Sequence, residues 1–175
     1  MLRKIIAALL CAAAYGPAVQ AHITLEQKSA VAGTSYKAVF RVGHGCEGSP
    51  TTSLSVFLPD GFVGAKPMPK AGWKLDIKTE KLDKPTDPHG ATLTERAVQF
   101  TWSGGRLLDS EYDEFVIAMS LPDSAGKRTI RVLQQCEKGQ NDWAELPTEA
   151  QPKPRLPAPA LDITPAAVTD HEHHH

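Results

Sequence analysis

Alternation constrains this chain more than any other feature. Tyr36, Ala38, Phe40 and Val42 are apolar at every second position. The spacing recurs in Leu54, Val56 and Leu58, in Trp73, Leu75 and Ile77, and in Val98, Phe100 and Trp102. It recurs again in Phe115, Ile117, Met119 and Leu121 and in Ile130 and Val132, while Ile23 and Leu25 suggest a short first segment. Successive side chains of a β-strand point to opposite faces, so a period of two marks a strand half-buried against a core. Turn signals separate the sets at Asp60-Gly61, Lys70-Ala71-Gly72, His89-Gly90, Gly104-Gly105 and Ala125-Gly126. No segment sustains a 3.6-residue apolar stripe, and 14 Pro with 13 Gly in 175 residues favour turns and strands over long helices. Roughly seven or eight short strands of this kind predict an all-β fold, a single antiparallel β-sandwich of the immunoglobulin or cupredoxin-like kind.

The first 21 residues predict export. Arg3 and Lys4 supply a positive start, Ile5 to Tyr15 an apolar run, and Val19 and Ala21 small residues for cleavage after Ala21. The apolar run is too short to span a bilayer, and no later segment could span one. Cys11 lies inside the run, but Leu9-Leu10 before it are not the small residues of a lipoprotein signal. The expectation is a periplasmic or secreted protein whose mature chain begins at His22. Loss of Arg3 and Lys4 from 19 basic and 20 acidic residues leaves a net charge of −3. That balance argues against a nucleic-acid binder, which usually carries a basic face. The length suits one domain, 22–147.

Two cysteines remain, Cys46 and Cys136. In an exported chain they suggest one disulfide, closing a loop of about 90 residues and worth roughly 4–5 kcal/mol by chain entropy. A pair of thiolate metal ligands is the alternative, without the usual CxxC spacing. From Pro147 the composition shifts: Pro147, Pro152, Pro154, Pro157, Pro159 and Pro165 crowd into 19 residues. Residues 148–175 read as an extended Pro-rich tail. It ends Asp170-His171-Glu172-His173-His174-His175, either a metal-catching tail or a relic of expression.

His22 is chemically the sharpest residue. At a free N-terminus, its α-amine and Nδ1 can close a six-membered chelate ring on one metal ion. Cu(II) favours nitrogen donors in a tetragonal plane and heads the divalent affinity order. Both donors must lose protons to bind, so such a site weakens below about pH 6. If residues 22–27 and 35–42 form a hairpin across Lys28–Thr34, His22 lies beside Arg41 and Val42. The chain then enters Gly43-His44-Gly45-Cys46-Glu47, where Glu47 or His44 can turn back towards His22. A Cys46–Cys136 bond would bring in the segment from Gln134 to Trp143, with Glu137, Asp142 and Trp143.

Several motifs together resemble the YcnI-like family of exported copper-binding β-sandwich domains. They are His22 after the leader, the run His44-Gly45-Cys46-Glu47-Gly48-Ser49-Pro50-Thr51, and Lys66-Pro67-Met68-Pro69-Lys70-Ala71-Gly72-Trp73. Trp102-Ser103-Gly104-Gly105, Tyr112-Asp113-Glu114-Phe115 and Cys136-Glu137-Lys138-Gly139 leading to Trp143 complete the set, which spans His22 to about Pro147. The resemblance implies a single-histidine brace for Cu(II). Carried over, the metal ligands are His22 and Glu47, with Trp143 close to the metal; His44 is a neighbouring or turn residue. The implied function is an exported copper chaperone or scavenger, not an enzyme. Its partners would be the copper ion and another periplasmic copper-handling or copper-transport protein.

Two other functions compete. A copper-dependent mono-oxygenase would need a second equatorial histidine, for which only His44 and His89 are available in the domain. A metal-free adhesion or assembly sandwich would leave His22 incidental, since fold does not specify function. A Ser-His-Asp hydrolase and a phosphate-binding loop find no motif.

Overall fold

A computed structural model describes residues 22–86 and 92–167. The leader, the His89-Gly90 turn and the His-rich end lie outside the described residues. The described chain forms twelve strands and no helix. In order they are β1 (Thr24–Leu25), β2 (Ser29–Val31), β3 (Ser35–Val42), β4 (Thr51–Phe57), β5 (Val63–Pro67) and β6 (Lys74–Thr86). There follow β7 (Leu93–Leu107), β8 (Asp113–Ser120), β9 (Gly126–Thr129), β10 (Arg131–Cys136), β11 (Gln140–Trp143) and β12 (Ala160–Thr164).

The strands form a four-stranded sheet, β1-β3-β8-β5, and a five-stranded sheet, β11-β10-β4-β7-β6. Every pairing in both sheets is antiparallel. Alternation decides which side of each strand is buried. Tyr36, Ala38, Phe40 and Val42 face inward from β3, and Phe115, Ile117 and Met119 do so from β8. From the other sheet come Leu54 and Val56, Phe100 and Trp102, and Val132; all of these residues join one continuous core. Trp102 bridges the layers: its ring stands 5.4 Å from Phe115, and its indole N–H donates to the Met68 carbonyl at 3.0 Å.

Three expectations need correction. Gly104-Gly105 lies inside β7 instead of ending a strand. There the register against β4 shifts, with Gly104 at φ +80°. The glycines form a bulge, because a Cβ on Gly105 would stand 2.1 Å from the Trp73 ring. Ile77 follows the alternation but is 46% exposed, since β6 is the edge strand of its sheet. The third correction concerns the 148–175 tail. Ala160–Thr164 is strand β12, paired parallel with β2 and antiparallel with β9. Leu161 and Ile163 belong to the core. Their alternation was hidden by proline density, yet Pro159 and Pro165 only bracket the strand, where their missing N–H costs nothing.

The first strand is short but well held. Thr24 pairs with Arg41 and Leu25 with Phe40, so the β1–β3 pairing that the sequence left as a supposition is present, although β2 interrupts the expected loop. Ile23 and Leu25 are buried, and the Tyr36 hydroxyl donates to the Gln27 carbonyl at 2.5 Å. Burial, reinforced by the Glu26 charge, pushes the Tyr36 phenol up to about 12 from its ordinary 10.0.

Two outcomes follow from this arrangement. Leu161→Ala should cost about 2–5 kcal/mol in urea unfolding, the usual range for an emptied core position; a loose tail would give no loss. The Tyr36 phenol holds its proton more tightly when folded. Its contribution is therefore complete below pH 10.0 and is lost as pH rises through about 12. Between those limits the wild type should lose more stability than Tyr36→Phe, measured by unfolding at each pH.

Candidate metal centre

Continuing the β1–β3 register by two residues sets His22 across from Gly43, at the start of the loop that carries His44 to Ser49. The hairpin geometry needed to bring these segments together is therefore present. Cys46 and Cys136 are joined as a disulfide, with Cα atoms 5.9 Å apart, which ties this loop to the end of β10.

Within the loop the backbone makes a tight turn. Cys46 and Ser49 exchange both backbone hydrogen bonds, at 3.0 and 2.9 Å, across Glu47 and Gly48. Both central residues have positive φ, 52° and 85°, as a type I′ turn requires. Gly48 accepts that conformation freely; Glu47 is the only non-glycine described residue that adopts it. Gly45 allows the chain to close, because a Cβ there would lie 1.9 Å from the Ser49 carbonyl oxygen. Its N–H donates to Asp109 at 2.9 Å.

Gln134 organises the interior of this edge. Its side chain is fully buried on β10. The amide nitrogen donates to the His44 carbonyl at 2.7 Å and to the Thr51 hydroxyl at 2.8 Å. The amide oxygen accepts from the Trp143 indole at 3.1 Å and from Asn141 at 3.4 Å. All four hydrogen-bonding positions are used, which makes a buried amide tolerable in an apolar core.

Trp143 is itself buried, at the end of β11. Two histidines stand against its indole in edge-on geometry: His22 at 5.8 Å and His44 at 5.9 Å between ring centroids. Each has a buried Nε2 without a hydrogen-bond partner. His44 Nδ1 lies 2.6 Å from the Gly45 carbonyl oxygen.

The sequence profile of a domain of unknown function, DUF1775, matches residues 22–163. The chain belongs to the DUF1775 family. That family includes YcnI-like, copper-related exported proteins, in line with the resemblance carried by the motifs. An uncharacterized protein from Nocardia farcinica, whose crystal structure reveals an immunoglobulin-like fold, is 25% identical. Its likeness covers 81% of this chain and 97% of that one, with a TM-score of 0.64. No curated protein matches the chain.

In this DUF1775 domain, the residues expected at the site divide. His22 and His44 each stand against Trp143, and Cys46, two residues after His44, is bonded to Cys136. Glu47 does not join the histidines: its side chain is 86% exposed and pairs at 3.3 Å with Arg155, also largely exposed. Glu137 is held by Arg106 at 2.6 Å, and Asp142 by a two-pronged bond to Arg131 at 2.8 Å. The Asp142 bond raises the Arg131 guanidinium pKa further. Among the described residues, no three His, Cys, Asp or Glu side chains gather around a common point. The domain also depends on two residues that the motifs did not single out, Gln134 and Asp109. Gln134 had a signal: it stands where the inward-facing series Ile130, Val132 calls for an apolar residue. Asp109 had none, because its partner lies 64 positions away.

Gln134→Leu should lower stability by about 2–4 kcal/mol in chemical unfolding, because buried partners of the amide are left unpaired. Trp143 emission should shift in the folded variant. A loss below about 1 kcal/mol, within the range of a surface change, would mean that the amide is not the anchor of this edge.

Proposed function

We propose that the mature chain is an exported Cu(II)-binding protein, a periplasmic copper chaperone or scavenger that takes the ion at its N-terminal histidine. The observation that carries this reading is His22 itself. Its ring packs on the buried Trp143 at 5.8 Å, at the mouth of a strand pairing that holds the chain start in place. Ile23 and Leu25, buried immediately after it, prevent the terminus from swinging freely. Cleavage after Ala21 would convert the peptide nitrogen of His22 into an amine. The segment matched by the family also begins at residue 22. An amine and an imidazole on one fixed residue form a chelate that suits Cu(II) over the softer Cu(I).

The chelate suits carriage. An amine and an imidazole leave coordination positions open, so that a ligand from an acceptor protein can enter and draw the ion away. Trp143 gives the site an apolar wall, which limits competing water. The disulfide holds the adjoining loop in an oxidising compartment, consistent with work outside the cytoplasm.

The test is a Cu(II) titration, followed by EPR, of protein beginning at His22 and of protein with one additional residue before it. Both lack the chain from Asp170, so the His-rich end cannot contribute. The authentic terminus should bind one equivalent with a type-2 spectrum and quench Trp143 emission. The extended form should bind at least roughly tenfold more weakly, because one nitrogen donor has become an amide. Equal binding by both forms, or binding by neither, would overturn the reading.

A further inference from the structure

We propose that His44 supplies a second imidazole nitrogen, Nε2, to the copper site that His22 opens. This rests on the copper reading above and extends it to a residue outside the chelate.

His44 Nδ1 lies 2.6 Å from the Gly45 carbonyl oxygen. A carbonyl oxygen can only accept, so Nδ1 carries the hydrogen and donates it. In the neutral ring, Nε2 is then left with a bare lone pair. That atom is buried and has no partner. Burying a polar atom without a partner is a standing cost to the fold, and native structures rarely retain one without a reason. A ring N–H donated to a backbone carbonyl, with the opposite nitrogen free, is the orientation adopted by metal-binding imidazoles.

The ring is also rigidly mounted. The His44 carbonyl accepts from Gln134 at 2.7 Å, and the next residue's N–H donates to Asp109 at 2.9 Å. Gly45 is pressed against the Ser49 carbonyl, and Cys46 is bonded to Cys136. His22 and His44 are the two histidines among the described residues, and both stand against Trp143. His44 Nε2 is one of the three buried side-chain polar atoms without a partner among the described residues. Glu47, by contrast, turns its carboxylate into solvent beside Arg155. The local donors are thus richer in nitrogen than a single-histidine brace: one amine and two imidazoles, a set well matched to tetragonal Cu(II).

The experiment uses the protein beginning at His22 and ending before Asp170, loaded with one equivalent of Cu(II). Electron spin-echo modulation counts coordinated imidazoles through their remote nitrogens. Wild type should show two. His44→Gln, checked for an unchanged fold by circular dichroism, should show one and bind roughly ten- to a hundredfold more weakly. Glu47→Gln should leave both the count and the affinity unchanged. A wild-type spectrum with one imidazole, read without any variant, would overturn the inference while leaving the copper reading intact. So would a folded His44→Gln variant indistinguishable from wild type. Failure of wild type to bind Cu(II) would remove the copper reading and this inference together.

Discussion

The edge of the sandwich that holds the candidate site depends on one buried amide. Gln134 occupies a core-facing position on β10, where an apolar side chain would satisfy the strand pattern. It is stable there because each of its donors and acceptors is used, and these partners come from three separate stretches of chain. The His44 carbonyl lies on the loop after β3, Thr51 begins β4, and Trp143 with Asn141 belongs to β11. A low-dielectric interior strengthens such bonds and makes any missing one expensive. The amide therefore fixes the relative position of those stretches more sharply than dispersion contacts could. The neighbouring disulfide limits the same loop covalently and, being insensitive to packing, complements the hydrogen bonds.

The first strand, β1, is the second element of that edge. A strand of two residues has little pairing of its own. It holds because Ile23 and Leu25 are buried, Glu26 N–H donates to the Val39 carbonyl at 3.0 Å, and Tyr36 reaches back to Gln27. Glu26 also pairs with Arg41 at 2.8 Å, although exposed ion pairs contribute little. His22 thus enters the fold as a positioned side chain even though it stands at the first described residue. Under the proposed copper reading, cleavage after Ala21 would create a nitrogen donor at a place the fold has already fixed.

Much of the architecture was legible. The inward residues of β3, β4 and β8 were identified from period alone, because burial on one face demands it. The limits came where a local signal had more than one physical cause. Gly104-Gly105 reads as a turn, yet glycine serves equally where another side chain, here Trp73, must approach the backbone. Proline density reads as a tail, yet Leu161 and Ile163 lie between prolines that only mark strand ends. At the site, His22 and Trp143 were expected together and stand together. Glu47 was expected to turn inward, but a type I′ turn directs its side chain outward.

By itself, the sequence determined the strand class, the inward faces of most strands and the cysteines available for a bond. These are local or short-range properties, set by side-chain period, turn residues and redox chemistry. Only the tertiary structure decided that residues 160–164 complete the sheet around β2 and β9, and that Gln134 bolts the edge from within. It also decided that His44, instead of Glu47, faces Trp143 alongside His22. The reason is distance along the chain: Gln134 meets the His44 carbonyl across 90 positions, and no local pattern encodes which distant groups will be desolvated together.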